Sequence, residues 1–447
     1  MSQLREYADE AAEPRERTAG RRLTIGWQHA GRPADLREHY ERYGPLPDGG
    51  RGGRRSRRGL VDAVAAAGLT GRGGAGFPTG TKMRAVVSRR GPAVVVANGM
   101  ESEPASEKDQ ALLARAPHLV LDGAVLAAQA VGADTVHLCL DRTRNWQVDE
   151  VLRAIEEREQ ARLDPIRLLV HELPRHYVAS EETALVRWLN GGEAKPMATP
   201  PRPFERGVQR RPTLVDNVET LAHVALIARF GPNWFRGAGR PECPGTMLVT
   251  ITGAVRDPGV YEIEAGSRVG DVLAMSGEND SDSILIGGYF GTWHTTADIA
   301  PLPMTTAGLR PAGASVGAGV LFALPAGSCG ITEAARVLDY LARQGAQQCG
   351  PCMFGLPAIA DDFAQLAAGR PEGDTLARLA RRLPVITGRG ACRHPDGAVR
   401  MAASALTAFA ADARAHAAGR PCLGAHRRRP DSGGPPIPRP GAEGEWR

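Results

Sequence analysis

Between residues 61 and 175 the apolar positions switch repeatedly between two periods. Residues 94–97 form a β-branched run, 110–131 carry apolar residues at helical spacing, and 135–140 again read as a strand. Residues 147–163 then predict an amphipathic helix and 166–173 a third strand. That order predicts βαβ units around a parallel sheet. Residues 176–240 predict a helix at 181–190, a loop rich in Pro and Arg, and a helix from Asp216. At 246–310 the pattern turns β-rich: MLVTITGAV, a turn at Asp257, VYEI, a short helix over 269–275, then ILIGG. From Gly330 on, helical runs at 331–344, 355–368, 373–383 and 395–416 predict a terminal bundle.

Composition narrows the class. The 447 residues are 42% hydrophobic and 23% charged, which excludes a disordered or fibrous chain and fits two to four domains. No uncharged apolar run approaches about 18 residues, so no transmembrane helix is expected. The charged N-terminus lacks the apolar core of a secretory signal. Seven unevenly spaced Cys make no disulfide framework, and a cytoplasmic location is expected.

The net charge of +5 is localised. Residues 45–58 carry five Arg and one Asp, and residues 420–447 six Arg against three acids, leaving the rest at −2. Both stretches are rich in Gly and Pro and read as flexible tethers. A mildly acidic body between them excludes a nucleic-acid-binding surface. Arg outnumbers Lys by 52 to 3, so Lys82, Lys108 and Lys195 stand out as compact point charges.

Five segments carry candidate chemistry. Residues 71–82 (GRGGAGFPTGTK) place glycines before a lysine, as a loop whose N–H groups cradle an anion or as a merely flexible loop. Residues 98–109 follow the first strand, where an open α/β sheet meets its ligand. There Asn98 is suited to a heterocycle edge or a hydroxyl, and Glu101 and Glu103 to accepting hydrogen bonds. The alternative is a helix start capped by Ser102 or Ser106. Ser180, Glu181, Glu182 and Thr183 open a helix, as do Asp216, Asn217 and Thr220, and either set fits simple capping. Cys349 and Cys352 form a CxxC pair which, with Cys392, suits a metal, an iron–sulfur cluster or a redox dithiol. Cys139, Cys243 and Cys422 read as ordinary core or surface thiols.

In this order the five segments resemble the flavoprotein subunit of respiratory complex I, the NADH-quinone oxidoreductase-F family, over about residues 61–415. The resemblance implies an α/β FMN-binding domain, a ubiquitin-like β-grasp (SLBB-type) module and a C-terminal helical bundle with a [4Fe–4S] cluster. The implied boundaries are an extension and basic linker at 1–60, the FMN/NADH domain at 61–240 and the β-grasp at 246–310. The bundle follows at 330–416 and a disordered basic tail at 417–447. By position, Gly71, Gly73, Gly74, Ala75 and Lys82 would meet FMN phosphate and NADH, and Phe77 would stack on the nucleotide. Asn98, Glu101 and Ser102 would contact the flavin. Glu103 and Glu182 would serve beside the nicotinamide, Tyr177 and Glu181 would line the cavity, and Asp216, Asn217 and Thr220 would hold the far side. Hydride passes from NADH to FMN in this family, then single electrons pass through the cluster to a ferredoxin-like or thioredoxin-fold [2Fe–2S] partner. Peripheral membrane association through a complex is also implied.

The chain departs from the family at four places. Met100 stands for the usual Asp, Ala179 and Ser180 for Cys-Gly, and Arg202 for an aromatic clamp. Ala346 stands for the first cluster cysteine, so Cys349, Cys352 and Cys392 supply three of four ligands, with Gln347, Gln348, His394 or Cys329 available as the fourth. These changes also motivate the alternative of a non-catalytic paralogue that binds a ligand or partner.

Overall fold

The computed structural model describes residues 21–27, 32–46, 54–277, 280–426, 433–441 and 444–447. Its first sheet is wholly parallel, with β1 (Ala93–Asn98), β2 (Ala133–Asp141), β3 (Arg167–Leu173) and β4 (Thr213–Asn217) in the order β3-β2-β1-β4. The central strand β1 is buried on both faces except at Asn98, as its unbroken apolar run requires.

Helices α1 (Leu36–Tyr43), α2 (Arg54–Ala67) and α3 (Thr79–Val87) precede this sheet. The predicted helix at 110–131 is two helices, α4 (Lys108–Arg115) and α5 (Pro117–Val131), bent by 98°. Pro117 causes the break: it opens α5 at N1, and the preceding Ala116 leaves the helical region at φ −140°. The remaining helices of this domain are α6 (Asn145–Gln160), α7 (Glu182–Leu189) and α8 (Val218–Arg236). No single described helix is long and apolar enough to cross a membrane; the bent pair α4–α5 passes on composition, and α5 is a buried core helix.

The β-rich module extends past residue 310. Strands β5 (Thr246–Gly253), β6 (Gly259–Glu264), β7 (Ser283–Ile286), β8 (Thr292–Thr295) and β9 (Val320–Ala323) form a mixed sheet in the order β8-β7-β9-β5-β6, with α9 (Val269–Ala274) packed on it. Its central strand β9 runs parallel to β5 and is only four residues long, too short for its pattern to announce it.

The bundle comprises α10 (Gly330–Arg343), α11 (Leu356–Ala367), α12 (Thr375–Ile386), α13 (His394–Ala408) and α14 (Ala410–Ala417), followed by the short α15 (Leu423–His426). The single helix expected at 395–416 is split at Phe409, which packs its ring 5.4 Å from Trp293.

Both tethers need correction. Leu23, Tyr43 and Leu46 are buried in the α/β core, and the carboxylate of Glu262 accepts the N–H groups of Arg22, Leu23 and Thr24. The basic run already belongs to α2 from Arg54, while residues 47–53 lie outside the described residues. At the other end, Trp446 stacks on His176 with ring centroids 3.6 Å apart, and its carbonyl accepts the Ala194 N–H at 2.8 Å. A few apolar residues anchor segments whose average composition reads as linker.

Candidate functional site

The strand order reverses between β1 and β4, and the crevice beyond their carboxyl ends is where such sheets bind ligands. Three of the sequence segments meet there. Asn98 and Asn217 end the two strands and pair in register. The glycine loop closes over them: a Cβ on Gly73 would lie 3.3 Å from Cβ of Asn217, so only glycine brings that backbone so close comfortably. Residues 73–78 are exposed, and the Phe77 ring is 50% accessible. Lys82 extends from α3 to donate to the Val215 carbonyl at 2.7 Å and pair with Asp216 at 3.2 Å. Arg72 donates its N–H to Thr220 Oγ1 at 2.9 Å.

Several predicted contacts spend their polar atoms on one another. Asn98 Nδ2 donates to the Ser180 carbonyl at 2.9 Å, and its Oδ1 accepts the Met100 N–H. Ser102 Oγ donates to the Tyr177 carbonyl at 2.7 Å and lies 2.6 Å from Ser180 Oγ. Glu101 is buried, accepting from Ser106 Oγ and the N–H groups of Asp109 and Gln110, so it caps α4 rather than facing the crevice. Glu181 caps α7 through the N–H groups of Thr183 and Ala184. Glu182 and Arg202 stand 3.9 Å apart at the open side. Met100 and Ala179, two departures from the family, pack in one apolar cluster, so each accounts for the other.

Lys108, Glu219 and Tyr289 are not among the predicted site residues, yet they shape the site. Lys108 Nζ lies 2.6 Å from Asp109 and 2.9 Å from Glu219, and Asn217 Nδ2 donates to Asp109 at 2.6 Å. This buried charge cluster forms the floor beneath the crevice. Burial alone would lower Lys108, but Asp109, Glu219 and Glu101 outweigh it and hold the ammonium charged. Burial raises Glu219, and Lys108, His223 and Arg72 reverse that, bringing it to about 2. Burial would also lower Lys82, but Asp216 and Glu182 raise it, whereas burial dominates at Asp216 and raises that carboxyl. Asp216 Oδ2 is buried with no hydrogen-bond partner, a polar atom left for a ligand at this crevice. The rarity of lysine is a usable signal for Lys108; nothing local marks Tyr289.

Glu103 is buried where the three domains meet. Its Oε2 accepts from Tyr177 Oη at 2.6 Å and from the Tyr289 N–H at 2.8 Å. Burial pushes it up to about 7, against those two donors and the Ala105 N–H. A raised carboxyl retains its proton in the folded state after the unfolded chain has ionised. Stability therefore falls as pH rises from about 4.5 to about 7, by on the order of 3 kcal/mol. Glu103→Gln is expected to flatten the melting-temperature profile over that window. Parallel profiles for the two proteins would refute this.

The cysteines lie behind Tyr177 and Glu181. A π-helical turn (Pro351–Gly355) carries Cys352, the kind of helix irregularity that recurs at functional sites. Burial and the neighbouring Cys349 and Cys392 thiols push Cys352 up to about 12. Burial also raises Cys392, and the Glu181 carboxylate adds to the rise. Ala346, in the place of the family's first cysteine, is buried. Of the four candidate fourth ligands, Gln348 is bound to Arg187 and the Pro196 carbonyl. Gln347 occupies a left-handed backbone position at φ 55°, and Cys329 lies at the opposite end of α10. His394 Nε2 bonds the Leu341 carbonyl at 2.7 Å, while its Nδ1 is buried without a partner. Three thiols and an orphaned imidazole nitrogen fit a cluster.

Comparison with known proteins agrees with this geometry. Family models match at residues 64–226 (Nuo51 FMN-binding domain), 248–277 (SLBB domain) and 332–416 (NADH-ubiquinone oxidoreductase-F iron-sulfur binding region). NADH-quinone oxidoreductase-F 2 of Rhizobium meliloti is 30% identical over 379 residues, covering 81% of this chain and 90% of that protein. The corresponding protein of Escherichia coli, NADH-quinone oxidoreductase-F, is 31% identical, covering 78% and 82%. Among solved structures, an NAD+-reducing [NiFe]-hydrogenase in the H2-reduced state superposes with a TM-score of 0.76 at 28% identity, over 86% of this chain and 67% of that one.

Proposed function

We propose that this chain, which belongs to the NADH-quinone oxidoreductase-F family, is an FMN-dependent NADH dehydrogenase module. The observation that carries the reading is the meeting of the glycine loop, the 98–109 loop and the β4–α8 turn at one switch point, with the cysteines directly behind. Bound FMN supplies the hydride acceptor, and a bound iron–sulfur cluster the one-electron carrier.

The chain's own residues bind, orient and keep water out. The backbone of Gly71, Gly73, Gly74 and Ala75, with the Lys82 ammonium, would hold phosphate, and the exposed Phe77 ring offers a stacking face. Asn98, Ser102 and Asn217, bonded internally, hold the loop backbones in place; Asp216 keeps one free acceptor, and Thr220 locks the glycine loop through Arg72. Glu103 and Tyr177 hold a proton at the buried wall, while Glu182 and Arg202 flank the entrance for the dinucleotide. Replacing an aromatic by Arg202 puts a cation where a phosphate of the nucleotide passes, which favours tolerance of NADPH.

Cys349, Cys352, Cys392 and His394 would hold the cluster. Met353 and Phe354, 48% and 71% exposed beside Cys352, suit electron exit to a ferredoxin-like or thioredoxin-fold [2Fe–2S] partner within a larger, peripherally attached cytoplasmic complex.

Purified under anaerobic conditions, the protein is expected to show a flavin spectrum bleached by NADH. A colourless protein that takes up no FMN would overturn the reading and leave a non-catalytic binding scaffold. Cys352→Ser is expected to lose iron and sulfide while keeping FMN. His394→Ala should change the electron paramagnetic resonance spectrum of the reduced cluster, and an unchanged spectrum removes it from the ligand set.

A further inference from the structure

We propose that Cys329, His416 and Cys422 form a second metal site, separate from the iron–sulfur cysteines, that binds a zinc ion and fastens the end of the chain to the bundle. The ligand atoms of these three residues lie within 4.8 Å of one another, although the residues come from three separate segments. Cys329 is the N-cap of α10, His416 lies in the last turn of α14, and Cys422 immediately precedes α15. From the sequence, Cys422 reads as an ordinary thiol and Cys329 as a spare ligand for the cluster; the fold gives both a different place. Helix α10 separates the two groups: its 14 residues span roughly 20 Å, with Cys329 before its first residue and Cys349 and Cys352 beyond its last.

The imidazole is already oriented as a ligand. His416 is fully buried, and its Nδ1 lies 2.9 Å from the Leu366 carbonyl, which places the proton on Nδ1 and leaves the Nε2 lone pair free to face the sulfurs. Nε2 is 3.7 Å from Cys329 Sγ and accepts the Cys422 N–H at 3.0 Å, a bond that ligation would replace. Cys329 Sγ also accepts the Thr332 N–H at 3.4 Å, a contact that steadies a thiolate. Packing draws the segments together. A Cβ on Gly424 would lie 2.5 Å from the Gly327 carbonyl oxygen and 2.8 Å from the Cys329 nitrogen, so glycine there lets the 422–426 segment lie against the start of α10.

Two thiolates and one neutral imidazole suit a tetrahedral, borderline-soft dication, which is zinc chemistry, with the fourth position left to water or to a further donor such as His426 in the same segment. Two negative thiolates balance the dication in this buried place, and ligation releases the two thiol protons to solvent. The consequence is mechanical: the chain beyond Cys422 leads to the segment whose Trp446 stacks on His176, so the ion would anchor the strap joining bundle and α/β domain.

Elemental analysis of the full-length protein, purified without chelator and after incubation with one equivalent of ZnSO4, tests the site. One zinc per chain is expected in the wild type and in Cys352→Ser. Cys422→Ser and the Cys329→Ser/Cys422→Ser double variant should lose it while keeping FMN and iron. Replacement by Co2+ should give the visible bands of a tetrahedral thiolate site, absent from the double variant. Wild type retaining no more zinc than the double variant would overturn the proposal. So would an intact mass two hydrogens low, mapped to a Cys329–Cys422 disulfide. Because zinc is read independently of flavin and iron, failure here leaves the dehydrogenase reading untouched.

Discussion

Lys108→Met is expected to lower the melting temperature of the α/β domain by roughly 10 °C. The ammonium sits between Asp109 and Glu219 with 4% of its side chain exposed, so its loss leaves two buried carboxylates facing each other. Breaking a buried ion pair in this way costs about 3–5 kcal/mol, and a domain of this size shifts by about 2–4 °C per kcal/mol. Much of the cost belongs to the stranded charge rather than to the bond, so adding Glu219→Gln to Lys108→Met should recover part of it. Differential scanning fluorimetry of the four proteins in this cycle measures the coupling. Additive effects would show that Lys108 is not the counter-charge the geometry makes it.

Lys82→Ala is expected to weaken FMN binding by roughly 10–100-fold, since a charge-assisted hydrogen bond contributes about 1.5–3 kcal/mol. Two effects act in the same direction. The ammonium facing the crevice is removed, and Asp216, which it screens at 3.2 Å, becomes an unopposed negative group near a bound phosphate. Lys82→Ala/Asp216→Asn should therefore bind FMN better than Lys82→Ala alone. Quenching of FMN fluorescence on titration with apoprotein gives the dissociation constants. An unchanged constant in the single variant would remove Lys82 from the phosphate site.

The order of domains is readable because each has a distinct apolar period, and the cofactor class because glycine loops and cysteine spacings are local chemistry. Reading stops at three kinds of place. Strand β9 is four residues in a Gly-rich neighbourhood, and its central position depends on β5 and β7 already being paired. The terminal segments look like linkers by composition, yet Leu23, Ile437 and Trp446 each find an apolar surface made by distant residues. Glu101 has the same chemistry as Glu103 two residues away, but the first turns back to cap α4 while the second reaches Tyr289 in the next module.

That last pair shows where the division falls. The order of residues along the chain is enough for the three-domain plan, the phosphate-type loop with its lysine, and a cluster motif short of one cysteine. Which polar atoms are spent inside the protein, and which remain for a ligand, is settled by packing in three dimensions. Glu103 meets a donor 186 residues away, and Cys329 meets His416 87 residues away. Hydrogen bonds and metal ligation act over a few ångströms of space, so separation along the chain says nothing about them until packing has set the distances.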